Sequence, residues 1–147
     1  MITEFDGKYA FLSNFYHAPF TYDGIEYPTN EHFFQAMKTL DQEERKKIAA
    51  AATPGKAKRM GRQVQLRADW EEVKYTAMRV GVERKFDTHP ELASKLIATG
   101  DAILIEGNSW HDNTWGSCFC SKCAAIAGKN WLGEILMERR KELVSDL

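Results

Sequence analysis

Three polar side chains, Glu31, Gln35 and Lys38, fall at i, i+4 and i+7. On a helix that spacing stacks them along one face. A carboxylate near the helix start, an amide one turn on and an ammonium after it could line a polar cleft. The same three also fit a solvated face held by ordinary i,i+4 and i,i+3 pairing. A second group lies in Glu106-Gly107-Asn108-Ser109-Trp110-His111-Asp112-Asn113-Thr114-Trp115-Gly116. Two tryptophans flank His111 and Asp112. They can stack on a base, or wall off water and so raise a neighbouring carboxyl pKa, as a general acid needs. Asp-Asn is equally turn chemistry, and a structural turn plugged by Trp110 and Trp115 accounts for the same residues.

Other charged and sulfur groups are less specific. Lys74, near Trp70 and Tyr75, can bind an anion or lie over apolar surface. Lys56, Lys58, Arg59, Arg62 and Arg67 place five cations within twelve residues. They can cradle phosphates or form a solvated helix face. Cys118, Cys120 and Cys123, with His111 upstream, offer four zinc ligands. The spacing matches no common zinc finger, and three packed thiols suit a core as well. An odd number of cysteines within six residues is no disulfide framework, so the expectation is reduced thiols without metal. There is no GxSxG, P-loop or dinucleotide fingerprint.

These residues need elements to hold them. Phe20–Tyr22 and Ile25–Tyr27 flank Asp23-Gly24, a hairpin turn signal. Thr29 or Asn30 caps a helix to about Leu40, with Phe33, Ala36, Met37 and Leu40 as its buried stripe. Asp41 with Glu44 forms a capping box for a helix through Ala52. Thr53-Pro54 opens a third, short and basic. Asp69 with Glu72 boxes a long helix to about Phe86. Its core stripe is Trp70, Val73, Ala77 and Val80, with Lys74, Met78 and Lys85 on an adjacent face. Thr88 with Glu91 opens a helix ending at Gly100. Ala102–Ile105 reads as a short apolar strand, and Asn130 caps the last helix. The pattern predicts an α+β fold, a helix-dominated single domain over residues 1–147 with a small, mostly antiparallel sheet.

Composition narrows the class. The chain has 147 residues, 44% of them hydrophobic, enough to bury a core and too many for global disorder. A net charge of −1 removes the broad electrostatic drive of a DNA-coating protein but allows a local phosphate site. No apolar run approaches roughly 20 residues. Met1–Asp6 has neither a basic nor an apolar export segment. A cytoplasmic protein without a membrane partner is expected.

An ordered series of short motifs points further. It comprises Phe11-Leu12-Ser13-Asn14-Phe15, Tyr27-Pro28-Thr29-x-Glu31-His32-x-x-Gln35-Ala36-x-Lys38, Asp69-Trp70-x-x-Val73-Lys74 and Lys85-Phe86. It continues with Leu96-x-x-Thr99-Gly100, Glu106, Asp112-x-x-Trp115-Gly116, Asn130-x-Leu132-Gly133, Leu136-Met137 and Arg139. Each piece is weak alone; the series resembles the NADAR (YbiA-like) family over residues 11 to 140. That resemblance implies an α+β domain that hydrolyses N-glycosidic bonds of ribose-phosphate compounds. The implied substrate classes are ADP-ribose attached to guanine, free or linked to nucleic acid, and phosphoribosylaminopyrimidine intermediates of riboflavin synthesis. It also implies that Glu31, Lys38, Lys74, Asp112 and Trp115 belong to the site. The chain departs from the family pattern after Trp115-Gly116, where the cysteine cluster replaces a Gly/Asp-rich stretch.

The chemistry of such a cleavage fits these residues. Breaking a ribosyl C–N bond builds oxocarbenium character on the sugar. That calls for a carboxylate near the anomeric carbon, a second group to activate water or protonate the leaving base, and cations for phosphate. Glu31 and Asp112 are the candidate carboxylates, with Lys38 the third catalytic candidate. Lys38, Lys74 and Arg62 are candidates for phosphate, Trp115 and Phe15 for stacking on the base, and Asn14, Gln35 and Glu106 for polar contacts. The expectation is one cleft shared by Glu31, Gln35, Lys38, Asp112 and Trp115. No cofactor is called for. The rival classes are a nucleotide-binding sensor without catalysis and a zinc-stabilised interaction domain.

Overall fold

Two left-handed residues set the first piece of structure. Asp23 (φ 50) and Gly24 (φ 78) make the two-residue connection whose twist matches a hairpin. The computed structural model describes residues 1–147. In it β1 (Phe20–Tyr22) pairs antiparallel with β2 (Ile25–Tyr27), Phe20 facing Tyr27 and Tyr22 facing Ile25. The fold is α+β and dominated by helices, and it divides into two compact units.

Residues 14–89 form one unit. Besides the hairpin it holds α1 (Asn30–Ala36), α2 (Gln42–Ala49), α3 (Pro54–Gly61) and α4 (Trp70–Thr88). Side-chain oxygens start the first three: Thr29 accepts from the His32 amide, Asp41 from those of Glu43 and Glu44, and Thr53 from that of Lys56. These satisfy amides that a helix start leaves without partners. Every residue of α1 is buried, because α2, α3 and α4 all pack on it. Phe33 on α1 meets Phe20, Tyr22 and Tyr27 edge-on, with ring centroids 5.1–5.4 Å apart, the geometry that aromatic quadrupoles favour.

Two glycines allow this close approach. A Cβ at Gly61 on α3 would overlap the Gln35 side-chain amide, and one at Gly81 on α4 would overlap Asn30 and crowd Phe33. The polar side chains of α1 therefore fill space that a side chain on the neighbouring helix would otherwise take.

Residues 1–13 and 90–147 form the other unit. It contains a 3-10 helix (Gly7–Leu12), α5 (Pro90–Ala98), β3 (Gly107–Asn108), β4 (Ser117–Cys118), a 3-10 turn (Ser121–Cys123) and α6 (Trp131–Ser145). β3 and β4 pair in parallel. α5 packs on α6, and Leu92, Leu96, Leu104, Leu132, Ile135 and Leu136 are among its buried side chains. Gly100 (φ 64) follows α5 in the left-handed conformation expected of a helix stop.

Several boundaries differ from the sequence reading. α1 ends at Ala36, because Lys38 and Thr39 donate to Gln35 and Ala36, three residues back, and this tightened turn leaves the helix. Leu40 is consequently 66% exposed and no part of the stripe. α2 stops at Ala49 rather than Ala52, again through a three-residue bond from Ala51 to Ile48. Asp69 precedes α4 but makes no side-chain cap, since Arg67 binds both its carboxylate oxygens at 2.6 and 3.1 Å. α4 continues to Thr88, which caps nothing; Pro90 opens α5. The buried face of α4 is Trp70, Met78, Gly81, Val82, Lys85 and Phe86, while Val73, Ala77 and Val80 are only half-buried. Ala102–Ile105 is not a strand; it contributes one parallel bridge, Leu104 to Ile2. Asn130 stands before α6 in a left-handed conformation, without capping it by its side chain.

The packing at Gly81 makes a prediction. A methyl there must displace Asn30 or Phe33, and overpacking of this kind costs about 1–3 kcal/mol. Alanine's better helix propensity returns at most about 1 kcal/mol. Gly81→Ala is therefore expected to lower unfolding free energy in denaturant titration, while the exposed Thr76→Ala on the same helix should not. A more stable Gly81→Ala protein would refute the close approach.

Candidate active site

The first turn of α1 brings Glu31 into the interior. Its backbone amide donates to the Asn14 carbonyl at 3.0 Å, and the residue is only 7% exposed. That burial removes the solvated-face reading. One turn on, Gln35 Nε2 points at Glu31 Oε2 over 3.5 Å, a long contact. In this contact the amide nitrogen donates and the carboxylate oxygen accepts. Gln35 Oε1 is thereby directed toward Gly61 and has no hydrogen-bond partner.

Lys38 lies just beyond α1. Burial lowers its pKa, and Arg62 and Lys58 lower it further, while Glu31 opposes the shift. Those couplings place Glu31, Arg62 and Lys58 close enough for Lys38 to feel each of them. Glu31, Gln35, Lys38 and Arg62 are thus brought together, whereas Asp112 and Trp115, expected in the same cleft, belong to the other unit. Asn14 lies beside the Glu31 group: Asn30 Nδ2 donates to Asn14 Oδ1 at 2.8 Å, and the thioether of Met78 receives the Asn14 amide at 3.4 Å. Phe15 is 45% exposed, as a stacking surface requires.

The remaining cations divide. Lys74 meets Glu71 on its own helix at 2.5 Å, an i,i+3 pair. Arg67 is committed to Asp69 and to the Met37 carbonyl, so it serves the fold. Lys56, Arg59 and Arg62 are exposed on or beside α3, and Lys58 is half-buried.

Lys85 was placed by spacing on a secondary face of α4 and outside the site. In the structure it is 2% exposed. Its ammonium lies 5.8 Å from the Tyr16 ring centroid and 5.4 Å from that of Phe86, and burial lowers its pKa to about 7. An amine poised near neutrality is the kind of group that catalytic sites use. Its only sequence signal is the Lys85-Phe86 pair.

In the other unit, asparagines build the loop that carries Glu106, Asp112 and Trp115. Asn108 Oδ1 accepts from the amides of Trp110 and Asp112, and its Nδ2 donates to the Asp112 carbonyl at 2.8 Å. Asp112 Oδ1 in turn accepts from the amides of Thr114 and Trp115 at 3.0 and 2.9 Å. This is an Asx turn, so one oxygen of Asp112 holds the loop. Trp110 is 60% exposed and plugs no core. Trp115 packs edge-on against Trp131 at 5.4 Å. Glu106 lies against Gly116, where a Cβ would overlap both its carbonyl and its carboxylate. Asn130 bridges the Glu106 amide and the Leu104 carbonyl. The amides of Asn130, Trp131 and Leu132 then dock on the carbonyls of Gly116, Thr114 and Trp115, which start α6 in place of a side-chain cap. Farther along, the ligand atoms of His111, Cys118, Cys120 and Cys123 lie within 4.8 Å of one another.

The fold is a helix-dominated α+β one, and its Asn14–His89 unit gathers a carboxylate, an amide and a cation. The NADAR domain model matches residues 3–144, and the chain belongs to that family. It is 42% identical over 137 residues to the N-glycosidase YbiA of Escherichia coli, covering 92% of this chain and 82% of that protein. A solution structure of the E. coli protein YbiA superposes with a TM-score of 0.84 at 39% identity, covering 99% of this chain and 86% of that one. A riboflavin biosynthesis protein of Vibrio vulnificus is 37% identical over 140 residues, 94% of this chain but 36% of that longer protein. No helix is long and apolar enough to cross a membrane.

The burial of Lys85 has a measurable sign. An unfolded lysine titrates near 10.4, and this one titrates at about 7 when folded. Between those values the unfolded chain binds the extra proton, so raising the pH favours folding. Relative to Lys85→Met, the wild-type protein should gain stability from about pH 7 to pH 10 and show no change in the difference below pH 7. Denaturant titrations across that range decide it; a flat difference throughout excludes the depressed amine.

Proposed function

We propose that this chain hydrolyses the N-glycosidic bond of a ribose-phosphate compound: ADP-ribose attached to guanine, or a phosphoribosylaminopyrimidine intermediate of riboflavin synthesis. Family membership and the N-glycosidase relatives make it an N-glycosidase-type enzyme; the substrate is the step beyond them. One observation carries the reading. Glu31 is buried against Gln35 and coupled to Lys38, whose ammonium in turn feels Arg62 and Lys58.

Each part of that group has a task. As the C–N bond breaks, positive charge grows on the ribose, and a carboxylate held in a low-dielectric site stabilises it most strongly. Glu31 takes this role or draws the proton from the attacking water. Lys38 and Arg62 offset the phosphate charge of the substrate, and Lys74 is the third candidate for it. Asn14 and Gln35 position the ligand through hydrogen bonds, and the exposed ring of Phe15 stacks on the base. Water adds to the anomeric carbon, and the base leaves carrying a proton. Asp112, Glu106 and Trp115 form the second candidate group, and each is tested by its own substitution. The reading treats residues 1–147 as one functional domain whose partner is a nucleotide or an ADP-ribosylated guanine, free or in nucleic acid.

Incubation with a panel of N-glycosides, followed by mass detection of released base and ribose product, identifies the substrate. Glu31→Gln keeps volume and hydrogen-bonding capacity while removing the charge. Its turnover should fall at least ~10²-fold, while the melting transition shows that the variant still folds. Near-normal turnover in a normally melting variant would remove Glu31 from the mechanism. Binding of ADP-ribose by the wild type without turnover of any panel member would make the chain a sensor instead.

A further inference from the structure

The geometry points to a structural zinc ion held by His111, Cys118, Cys120 and Cys123. None of these residues takes part in the glycosidase reading, and the inference does not depend on it.

The first argument is metric. Zinc bonds thiolate at about 2.3 Å and imidazole at about 2.0–2.1 Å, and a regular tetrahedron built on those lengths has N–S edges of about 3.5 Å. His111 Nδ1 lies 3.4 Å from Cys123 Sγ, 3.4 Å from Cys120 Sγ and 3.9 Å from Cys118 Sγ. All four ligand atoms fall within 4.8 Å of one another. One nitrogen is thus nearly equidistant from three sulfurs, which pairwise hydrogen bonding does not require. No two of the sulfurs are joined.

The second argument concerns the backbone. His111 adopts φ 67, an uncommon conformation for a side chain of its size. It sets the imidazole against sulfurs that come from seven to twelve residues later. The Cys120 amide also points at Cys118 Sγ over 3.5 Å. Amides directed at a sulfur are the outer-shell support that metal-bound thiolates receive.

The third argument is about what else could hold this stretch. Between Ser109 and Lys129 the only buried residues are Gly116, Cys118 and Cys123. Trp110, Phe119 and Ile126 are each more than half exposed. The segment has no apolar core of its own, and two of its three buried residues are proposed ligands. Short segments in that situation are stapled by disulfides or metal. Three thiols and an imidazole also fill all four tetrahedral positions from protein, which is the closed arrangement of a structural zinc site rather than a catalytic one. The ion would tie β4 and the 3-10 turn to the loop at Asp112, onto which the first amides of α6 dock.

The test uses the full chain, produced with zinc supplied and thiols kept reduced. Plasma mass spectrometry should find one zinc per chain, and chelation should lower the melting temperature reversibly. Cys120→Ser should lose zinc to a competing chelator at least ~10²-fold more readily, by the scale of lost metal-site contacts. Because that variant can misfold, cobalt(II) added to chelated wild-type protein gives an independent reading: the visible bands of tetrahedral thiolate coordination. Wild-type protein with three titratable thiols, supplied with zinc yet holding only traces of it, would overturn the site. So would stoichiometric iron or copper in its place.

Discussion

A seven-residue helix buried on every side governs the Asn14–His89 unit. Burial of α1 would be ordinary if the helix were apolar, but it carries Asn30, Glu31, His32 and Gln35. Each polar group must then find a partner inside the protein or cost free energy. His32 shows how completely one can be answered. The Thr29 hydroxyl oxygen accepts from the His32 amide, so its hydrogen is free to go to Nδ1, 2.8 Å away. Nε2 must then donate to the Ala51 carbonyl at 3.0 Å. That assigns a neutral ring with one tautomer, in agreement with a pKa lowered chiefly by desolvation. The same helix leaves Asn30 Oδ1 and Gln35 Oε1 without partners. Both lie where a glycine of an adjoining helix would otherwise bear a Cβ, so close packing and incomplete satisfaction arise at the same atoms.

The Met1–Ser13 and Pro90–Leu147 unit solves a different problem. Its loop from Glu106 to Ser117 has little regular structure, so side-chain amides do the work of a ladder. Asn108, Asn113 and Asn130 each use their side chains to bind backbone groups, and Asp112 does the same with one oxygen. An asparagine can donate and accept at once, and it tolerates the left-handed backbone that Asn130 adopts at φ 52. The price is that Asp112 is less available for chemistry than a carboxylate with no structural duty.

Local signals were legible in the sequence where local physics decides. The Asp23-Gly24 hairpin and the caps at Thr29, Asp41 and Thr53 stand where turn and capping chemistry place them. The misplacements have a tertiary origin. Spacing put Val73, Ala77 and Val80 of α4 inward, yet the helix buries Met78, Gly81, Val82 and Lys85, with Gly81 set closely against Asn30 and Phe33. Asp69 looked like a cap and is held by Arg67, a competition between charges that capping patterns do not weigh. Leu40 read as core until the tight turn after Ala36 removed it. In the candidate site, the i, i+4, i+7 spacing marked Glu31, Gln35 and Lys38 as a set, but spacing alone could not separate a cleft from a solvated face. Burial decides that, and burial depends on α2, α3 and α4 together.

Lys85 carries the same lesson to its physical end. A lysine on an amphipathic helix is expected to reach for water, since burying an ammonium is costly. Here the amine is enclosed and its charge is destabilised enough to titrate near neutrality. No pattern of hydrophobic and polar residues encodes that, because the pattern counts lysine as polar whether or not solvent reaches it. Glu31 and Lys38 show a milder form: burial presses the Lys38 ammonium toward neutrality while the Glu31 carboxylate resists. Charges kept out of water in this way weaken the fold, and they interact more strongly with any charge that forms beside them. That trade is unfavourable for a purely structural domain. The two kinds of buried group call for opposite complements: a positive charge beside the Glu31 carboxylate, a negative one beside Lys38 or Lys85.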